Sequence, residues 1–452
     1  MEVQQQPQQP DSEFSSFLSK IYKLSRFAKS VDATELLSFI SNLDPAMVGK
    51  FMKAARAQKP KPAPMIEGDF YRVSELLTPE ERQYQIDVRM FMEKEVKPIA
   101  DEYWINAEFP HHLIEKVGSL GLGGLTYKGY GCKGLSNVLE GILAMEMARI
   151  DTSFSTFFGV QSGLAMGSIY LCGSEEQKHE YLPLMRDFKL LGAFGLTEPE
   201  VGSGAAGGLT TTCKKEGNDW IINGQKKWIG NATFSDFTII WARNVDDDRV
   251  KGFIVNKDTP GFKAEKIENK LSLRTVQNAL ITMTDCRIPE TKRLQNANSF
   301  KDTSAVLKMT RAGVAWQAVG CARGAYEVAL KYAQDRKQFG KPIGSFQMIQ
   351  DQLAQMLSSL TAMQTMVMRL SQLQDEGKIK DEHASLAKVF CTKSCKEIVS
   401  FARSIHGGNG ILLENDVGRF LADAEALYSY EGTKEINSLI VGRAITGHSA
   451  FV

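Results

Sequence analysis

Phe346, Ile349, Leu353, Met356, Leu360, Met363, Val367 and Leu370 stand alternately three and four residues apart. On a helix this spacing makes one unbroken apolar seam, which has to be buried against other helices. Helical patterns also run over about 303–334, 382–406 and 416–446, so 301–452 is expected to form a four-helix bundle. The methionines on and beside the seam would also suit a cofactor-lining surface, but core packing accounts for them more simply.

Between about Leu191 and Leu294 the period changes. Short β-type runs appear at 219–222, Phe237–Trp241 and 252–255. Asn223-Gly224 carries a hairpin turn signal and Asp246-Asp247-Asp248 a second loop. Upstream, Thr78-Pro79-Glu80-Glu81 supplies a cap, a first-turn proline and acidic residues that suit a helix N-terminus. Helical segments are expected from there to about Phe188. The expected fold is mainly α with an inserted β-domain: a helical domain over 68–190, a barrel-like β-domain over 191–300, and the bundle. The first 67 residues differ, with a Gln/Pro run, one apolar helix side at Leu36, Leu37, Phe39 and Ile40, and an extended linker from Lys59 to Pro62.

Composition narrows the function. With 43% hydrophobic and 24% charged residues in a chain of 452, the bulk must fold rather than stay disordered. A formal net charge of +1 gives no whole-surface attraction to nucleic acid or to an anionic membrane, so any anionic ligand is expected to be held locally. Seven scattered cysteines without a CxxC pair argue against a disulfide framework and a zinc site. Cys391 and Cys395, four apart on a helical pattern, have no companion histidines, and no metal is expected. Thr152 to Ser174 is uncharged over 23 residues but diluted by four glycines and several polar residues. It reads as a buried helix pair near an interior binding site, not a transmembrane span.

Four segments carry chemistry. Leu196 to Gly204 (LTEPEVGSG) brings polar groups and flexible backbone to the edge of the β-region, as a loop around a ligand needs, or as an ordinary turn allows. Arg336-Lys337-Gln338-Phe339-Gly340 places a guanidinium beside an aromatic ring, suited to a pyrophosphate and a stacked flat ring, or to a surface cap. Gly407-Gly408-Asn409-Gly410 ends a helix and frees N–H groups, as an anion nest or a long C-cap. Tyr430-Glu431-Gly432-Thr433 interrupts the last helical region and leaves a carboxylate between two apolar helices. Walled in that way, a carboxylate has a raised pKa and is a stronger base for a C–H proton; an exposed glutamate at a plain helix break is the alternative.

In this order LTEPEVGSG, KKWIGN, DRKQFG, HGGNG and YEGT resemble the acyl-CoA dehydrogenase and acyl-CoA oxidase flavoprotein superfamily over about residues 68–452. Lys128 to Cys132, the WIGN run and Gly442 to Gly447 resemble more narrowly the branch of glutaryl-CoA dehydrogenases and plant peroxisomal short-chain acyl-CoA oxidases. The resemblance implies FAD, an acyl-CoA substrate, a homo-oligomer (dimer or tetramer), and an electron-transfer flavoprotein or O₂ as acceptor. It implies Glu431 as the base for the α-proton while the β-hydride passes to flavin N5. The Glu431 N–H and a ribityl hydroxyl would meet the thioester oxygen. Phe194, Leu196, Thr197 and Ser203 would line one side of the flavin and Trp228, Ile229 and Gly230 the other, with Thr433 beside it. Arg336, Phe339, Gln347, Gly407 and Gly408 would hold the adenosine diphosphate half, partly from a neighbouring subunit. Ser203, Arg311 and Gly432 would face the substrate.

Departures from the pattern sharpen this. Some relatives carry the base just before the arginine matching Arg311; here Thr310 stands there, leaving Glu431. Ser155 and Ala148 replace the arginine and glutamate with which glutaryl-CoA dehydrogenases meet a distal carboxylate, so a short monocarboxylic acyl-CoA, oxidised to the trans-2-enoyl-CoA, is expected. Gly204 replaces a loop-fixing aspartate and Gly230 a threonine or serine. Gly204 and the unmatched N-terminus keep a rival open, a non-catalytic flavoprotein or assembly subunit. Mitochondrial matrix and peroxisome stay open as compartments. The C-terminal Ser449 to Val452 is no peroxisomal tripeptide, which weakens the oxidase reading.

Overall fold

The computed structural model describes residues 68–449. The expectations for 1–67 and the last three residues lie outside the described residues.

Helix α1 (Pro79–Phe91) starts where its chemistry dictates. Thr78 Oγ1 accepts from the Glu81 N–H at 3.3 Å and the Glu81 carboxylate accepts from the Thr78 N–H at 3.0 Å, a reciprocal capping box. After it come α2 (Ala100–Asn106), α3 (Leu113–Ser119), α4 (Asn137–Ala148), α5 (Thr152–Gly159), α6 (Met166–Cys172) and α7 (Glu175–Arg186). A π-turn, Val160–Ala165, joins α5 to α6. The uncharged stretch is therefore one interior helical run with a bulge, a distortion often found at functional sites. No helix among the described residues is long and apolar enough to cross a membrane.

Seven strands follow: β1 (Gly192–Gly195), β2 (Thr212–Glu216), β3 (Asp219–Ile229), β4 (Phe237–Asn244), β5 (Val250–Asn256), β6 (Phe262–Lys266) and β7 (Ala279–Pro289). The sheet order is β1-β4-β2-β3-β7-β6, with β5 on the other edge of β4. β4 pairs parallel with β1 through Phe237–Ile240 and with β2 through Arg243 and Asn244, so one strand edge serves two partners and the sheet curls. Asp246 to Asp248 does form the loop between β4 and β5. Asn223-Gly224 does not form a hairpin. It lies inside β3 at a bulge opposite β7, where Asn223 Nδ2 donates to Asp285 at 3.0 Å. The β2–β3 turn is made by Gly217-Asn218, with Gly217 at φ +62°. Long-range pairing with β7 decides over the local turn preference, and the bulge leaves Gly224 so close to Thr211 that an added Cβ would stand 2.6 Å from its Cα.

The C-terminal part holds α8 (Phe300–Asp335), α9 (Gln347–Asp375), α10 (Asp381–Ile405), α11 (Val417–Ser429) and α12 (Lys434–Thr446). The seam on α9 is fully buried from Met356 through Leu370 and packs with α8 and α10 in one core. Close backbone approach joins this core to the first helices. Gly320 and Gly324 of α8 lie against the carbonyls of Met145 and Arg149 at the end of α4, and Gly141 of α4 receives the Trp316 indole. All seven cysteines are free thiols, Cys391 and Cys395 fully buried, and no group of three or more metal-type ligands occurs among the described residues.

Candidate active site

The π-turn, the β1 and β3 ends, α8 and the α11–α12 break enclose a cavity of about 1270 Å³. A single small ligand needs roughly 300–1,000 Å³, so there is room for two molecules side by side. Glu431 stands on its wall. The break places it at φ +49° and Gly432 at φ +87°, two successive left-handed residues of which only the glycine is at ease. Thr433 closes the break by capping α12, its hydroxyl accepting from the Ile436 N–H at 3.3 Å. The Thr310 hydroxyl lies 3.1 Å from a Glu431 carboxylate oxygen. Burial pushes the Glu431 carboxyl above its usual range; the Thr310 hydrogen bond and the charges of Arg311 and Lys388 act in the opposite direction. Behind it, Tyr430 Oη hydrogen-bonds Gln317.

Phe194, Leu196, Thr197, Ser203, Trp228, Ile229, Gly230, Arg311, Gly432 and Thr433 line the same cavity. The sequence reading named them all, but not the groups that hold them. Glu198, inside LTEPEVGSG, is buried and accepts from Lys226 Nζ at 2.8 Å, Thr210 N at 2.7 Å and Thr211 N at 2.9 Å. Lys226 also donates to the Leu196 carbonyl at 2.9 Å. Although burial would raise it, Lys226 and the Thr210 donors hold the Glu198 carboxyl down at about 2. This buried pair ties the loop to β3, and its signal was a Glu and a Lys inside two of the motifs. An added Cβ on Gly204 meets nothing within 4 Å, so the missing aspartate leaves a loop already anchored elsewhere.

Trp228 sits at φ +66° on the cavity rim, 54% exposed, its carbonyl accepting from Asn278 Nδ2 at 3.1 Å. Asn278 is fixed by Lys270, whose Nζ donates to Asn278 Oδ1 at 2.6 Å, Val276 O at 2.6 Å and Leu273 O at 2.7 Å. Ser272 Oγ, buried on this wall, has no hydrogen-bond partner among the described residues. Apolar faces, an unpaired hydroxyl and spare volume fit a flat, polar-edged cofactor beside a second ligand.

Arg336, Phe339, Gln347, Gly407 and Gly408 lie outside the cavity on the surface. Phe339, at φ +49° on the tip of a small hairpin, is 92% exposed. Ser155 lines the cavity but its hydroxyl donates to the Ala144 carbonyl at 3.0 Å.

Comparison with known proteins gives the chemistry its setting. Three family models match in chain order: Acyl-CoA dehydrogenase, N-terminal domain, over 78–189; middle domain, over 193–286; and C-terminal domain, over 300–446. The chain belongs to the acyl-CoA dehydrogenase family. A probable acyl-CoA dehydrogenase of Bacillus subtilis (strain 168) is 34% identical over 375 residues, 82% of this chain and 98% of the relative. The mitochondrial short-chain specific acyl-CoA dehydrogenase of Mus musculus is 33% identical over 358 residues, 78% and 87% of the two chains. Among solved structures, a glutaryl-CoA dehydrogenase from Mycobacterium smegmatis in complex with FADH2 superposes with a TM-score of 0.83 at 36% identity, covering 85% of this chain and 99% of that one. This member of the family is an oxidoreductase that uses FAD.

Proposed function

We propose that Glu431 removes the α-proton of a short-chain, monocarboxylic acyl-CoA, giving the trans-2-enoyl-CoA. The observation that carries this reading is the Glu431 carboxyl, raised in pKa by burial, on the wall of the cavity that the flavin-lining motifs share. A carboxylate short of water is a stronger base, and the Thr310 hydroxyl steers one of its oxygens. Proton loss places negative charge on the thioester oxygen. The backbone N–H of Glu431 is the donor this chain supplies for it, and one such donor contributes about 2.7–4 kcal/mol in other enzymes. FAD, when bound, takes up the hydride from the β-carbon.

Phe194, Leu196, Thr197 and Ser203 would hold one side of the ring system and Trp228, Ile229 and Gly230 the other, with Thr433 beside it. Ser203, Arg311 and Gly432 would touch the substrate. Arg336, Phe339, Gln347, Gly407 and Gly408 would hold the adenosine diphosphate half across a contact between copies of the chain, and the bare Phe339 ring supports such a homo-oligomer. The internally bonded Ser155 offers no cation to a distal carboxylate, which supports a monocarboxylic substrate. The test is turnover of the flavin-loaded chain across acyl chain lengths, followed by enoyl product, hydrogen peroxide and dye reduction. Butyryl-CoA is expected to turn over, and Glu431→Gln to lose about 10²–10⁴-fold in rate. A purified chain without flavin absorbance, or full-rate turnover by the Gln variant, overturns the reading. Peroxide formation identifies O₂ as acceptor; dye reduction without peroxide points to an electron-transfer flavoprotein.

A further inference from the structure

A lysine that the reaction as described does not use lies behind the Glu431 turn. Lys388, on α10, is 1% exposed, and its Nζ donates to the Gly432 carbonyl at 2.6 Å. The same carbonyl accepts from Asn437 Nδ2 at 2.8 Å, and that amide also reaches the Thr433 carbonyl at 3.0 Å. A left-handed Glu-Gly pair is held in place only if its surroundings over-determine it. Here the anchors converge on the Gly432 carbonyl, in the peptide that joins Gly432 to Thr433, one residue past Glu431. Packing alone would be served by an apolar side chain of the same length, because burying an ammonium without a negative partner is costly.

We propose that Lys388 is a positioning residue for the Glu431 base: its ammonium fixes the peptide that aims the carboxylate and supplies positive charge against which that carboxylate ionises. The inference rests on the assignment of Glu431 as base. Burial pulls the Lys388 ammonium down to about 8, with Glu431 and Glu435 of α12 holding it up and Arg311 of α8 pushing it lower. Arg311 is in turn faced by Asp381, at 3.6 Å, from the start of α10. Near neutrality Lys388 is charged. It therefore moderates the rise that burial imposes on Glu431, keeping the base ionised at a pH where it would otherwise hold its proton.

The acid limb of kcat/KM against pH reads the ionisation of the base in the free enzyme. Lys388→Gln keeps an N–H donor for Gly432 but no charge, and Lys388→Met keeps neither. In flavin-loaded protein both are expected to move the acid limb up by about one pH unit, the usual effect of losing a nearby opposite charge. Lys388→Met should also lower the high-pH plateau. An unmoved acid limb in either loaded variant overturns the proposal. If neither variant loads flavin, Glu431→Gln decides, because coupling is reciprocal. In lysine-labelled wild-type holoenzyme one Nζ titrating near 8 should drop in midpoint in Glu431→Gln, while those of Lys226 and Lys270 stay in place; unchanged midpoints throughout overturn the proposal. Full activity in Glu431→Gln would instead remove the base assignment itself. An inactive Glu431→Gln with unmoved limbs in the Lys388 variants removes only the role of Lys388.

Discussion

Asp423 and Glu431 lie eight positions apart in the same helical region, and burial pushes both carboxyls up. Asp423 reaches about 7, with burial first and the Asp151 charge second; the Leu273 N–H, the Trp104 indole and Arg419 pull the other way. Its oxygen accepts from Leu273 N at 2.7 Å and Trp104 Nε1 at 3.2 Å, joining α11 to the loop that Lys270 organises. A folded pKa above the unfolded one means that the protonated acid stabilises the fold in acid and that this contribution is lost as pH rises through about 7. Asp423→Asn keeps the accepting oxygen and cannot ionise. Its unfolding free energy, read from urea titrations, is expected to gain on the wild type between pH 4 and 7, by about 1.4 kcal/mol per pH unit at most, and to run parallel above that. A pH-independent gap would refute the assignment. Apart from Arg419, four residues back on the same helix, none of these partners was legible locally: Asp423 reads as a surface acid on an amphipathic helix until the loop from 269 to 278 is folded against it.

At the scale of elements, regular features followed their local signals. The Thr78 cap, the α9 seam from Met356 to Leu370 and the break at 430–433 stand where the pattern put them. The miss at Asn223-Gly224 has a definite cause: a turn signal is a local preference, whereas the bulge is set by β7 and by Thr211, both remote in sequence. Helix contacts follow the same rule. A Cβ on Gly324 would stand 2.2 Å from the Arg149 carbonyl and 2.6 Å from the Phe420 ring. Gly324→Ala is therefore expected to lower stability by about 1–3 kcal/mol, despite the gain in helix propensity, because α4 and α8 must separate. Thermal unfolding checks this, and an unchanged or raised Tm would contradict it.

For the whole molecule, a net charge of +1 carries no instruction about partners, but the surface does. Phe339, Met348, Ile411 and Leu412 are exposed apolar residues on or beside the motifs proposed to grip the adenosine diphosphate half. Phe339→Glu is expected to weaken self-association in light scattering and to release FAD, while circular dichroism stays that of the folded chain; an unchanged mass with full flavin content argues against the shared site. Motif order and periodicity alone determined the helical, β and helical succession, and the family resemblance carried by the motifs supplied the proposed flavin-lining set and base, because each rests on residues close together in the chain. The tertiary structure decided what holds them: Glu198 on Lys226, and Lys388 under the Glu431 turn. Buried charges are stable only beside partners, and those partners come from elements far apart in sequence, so only the folded chain brings them into contact.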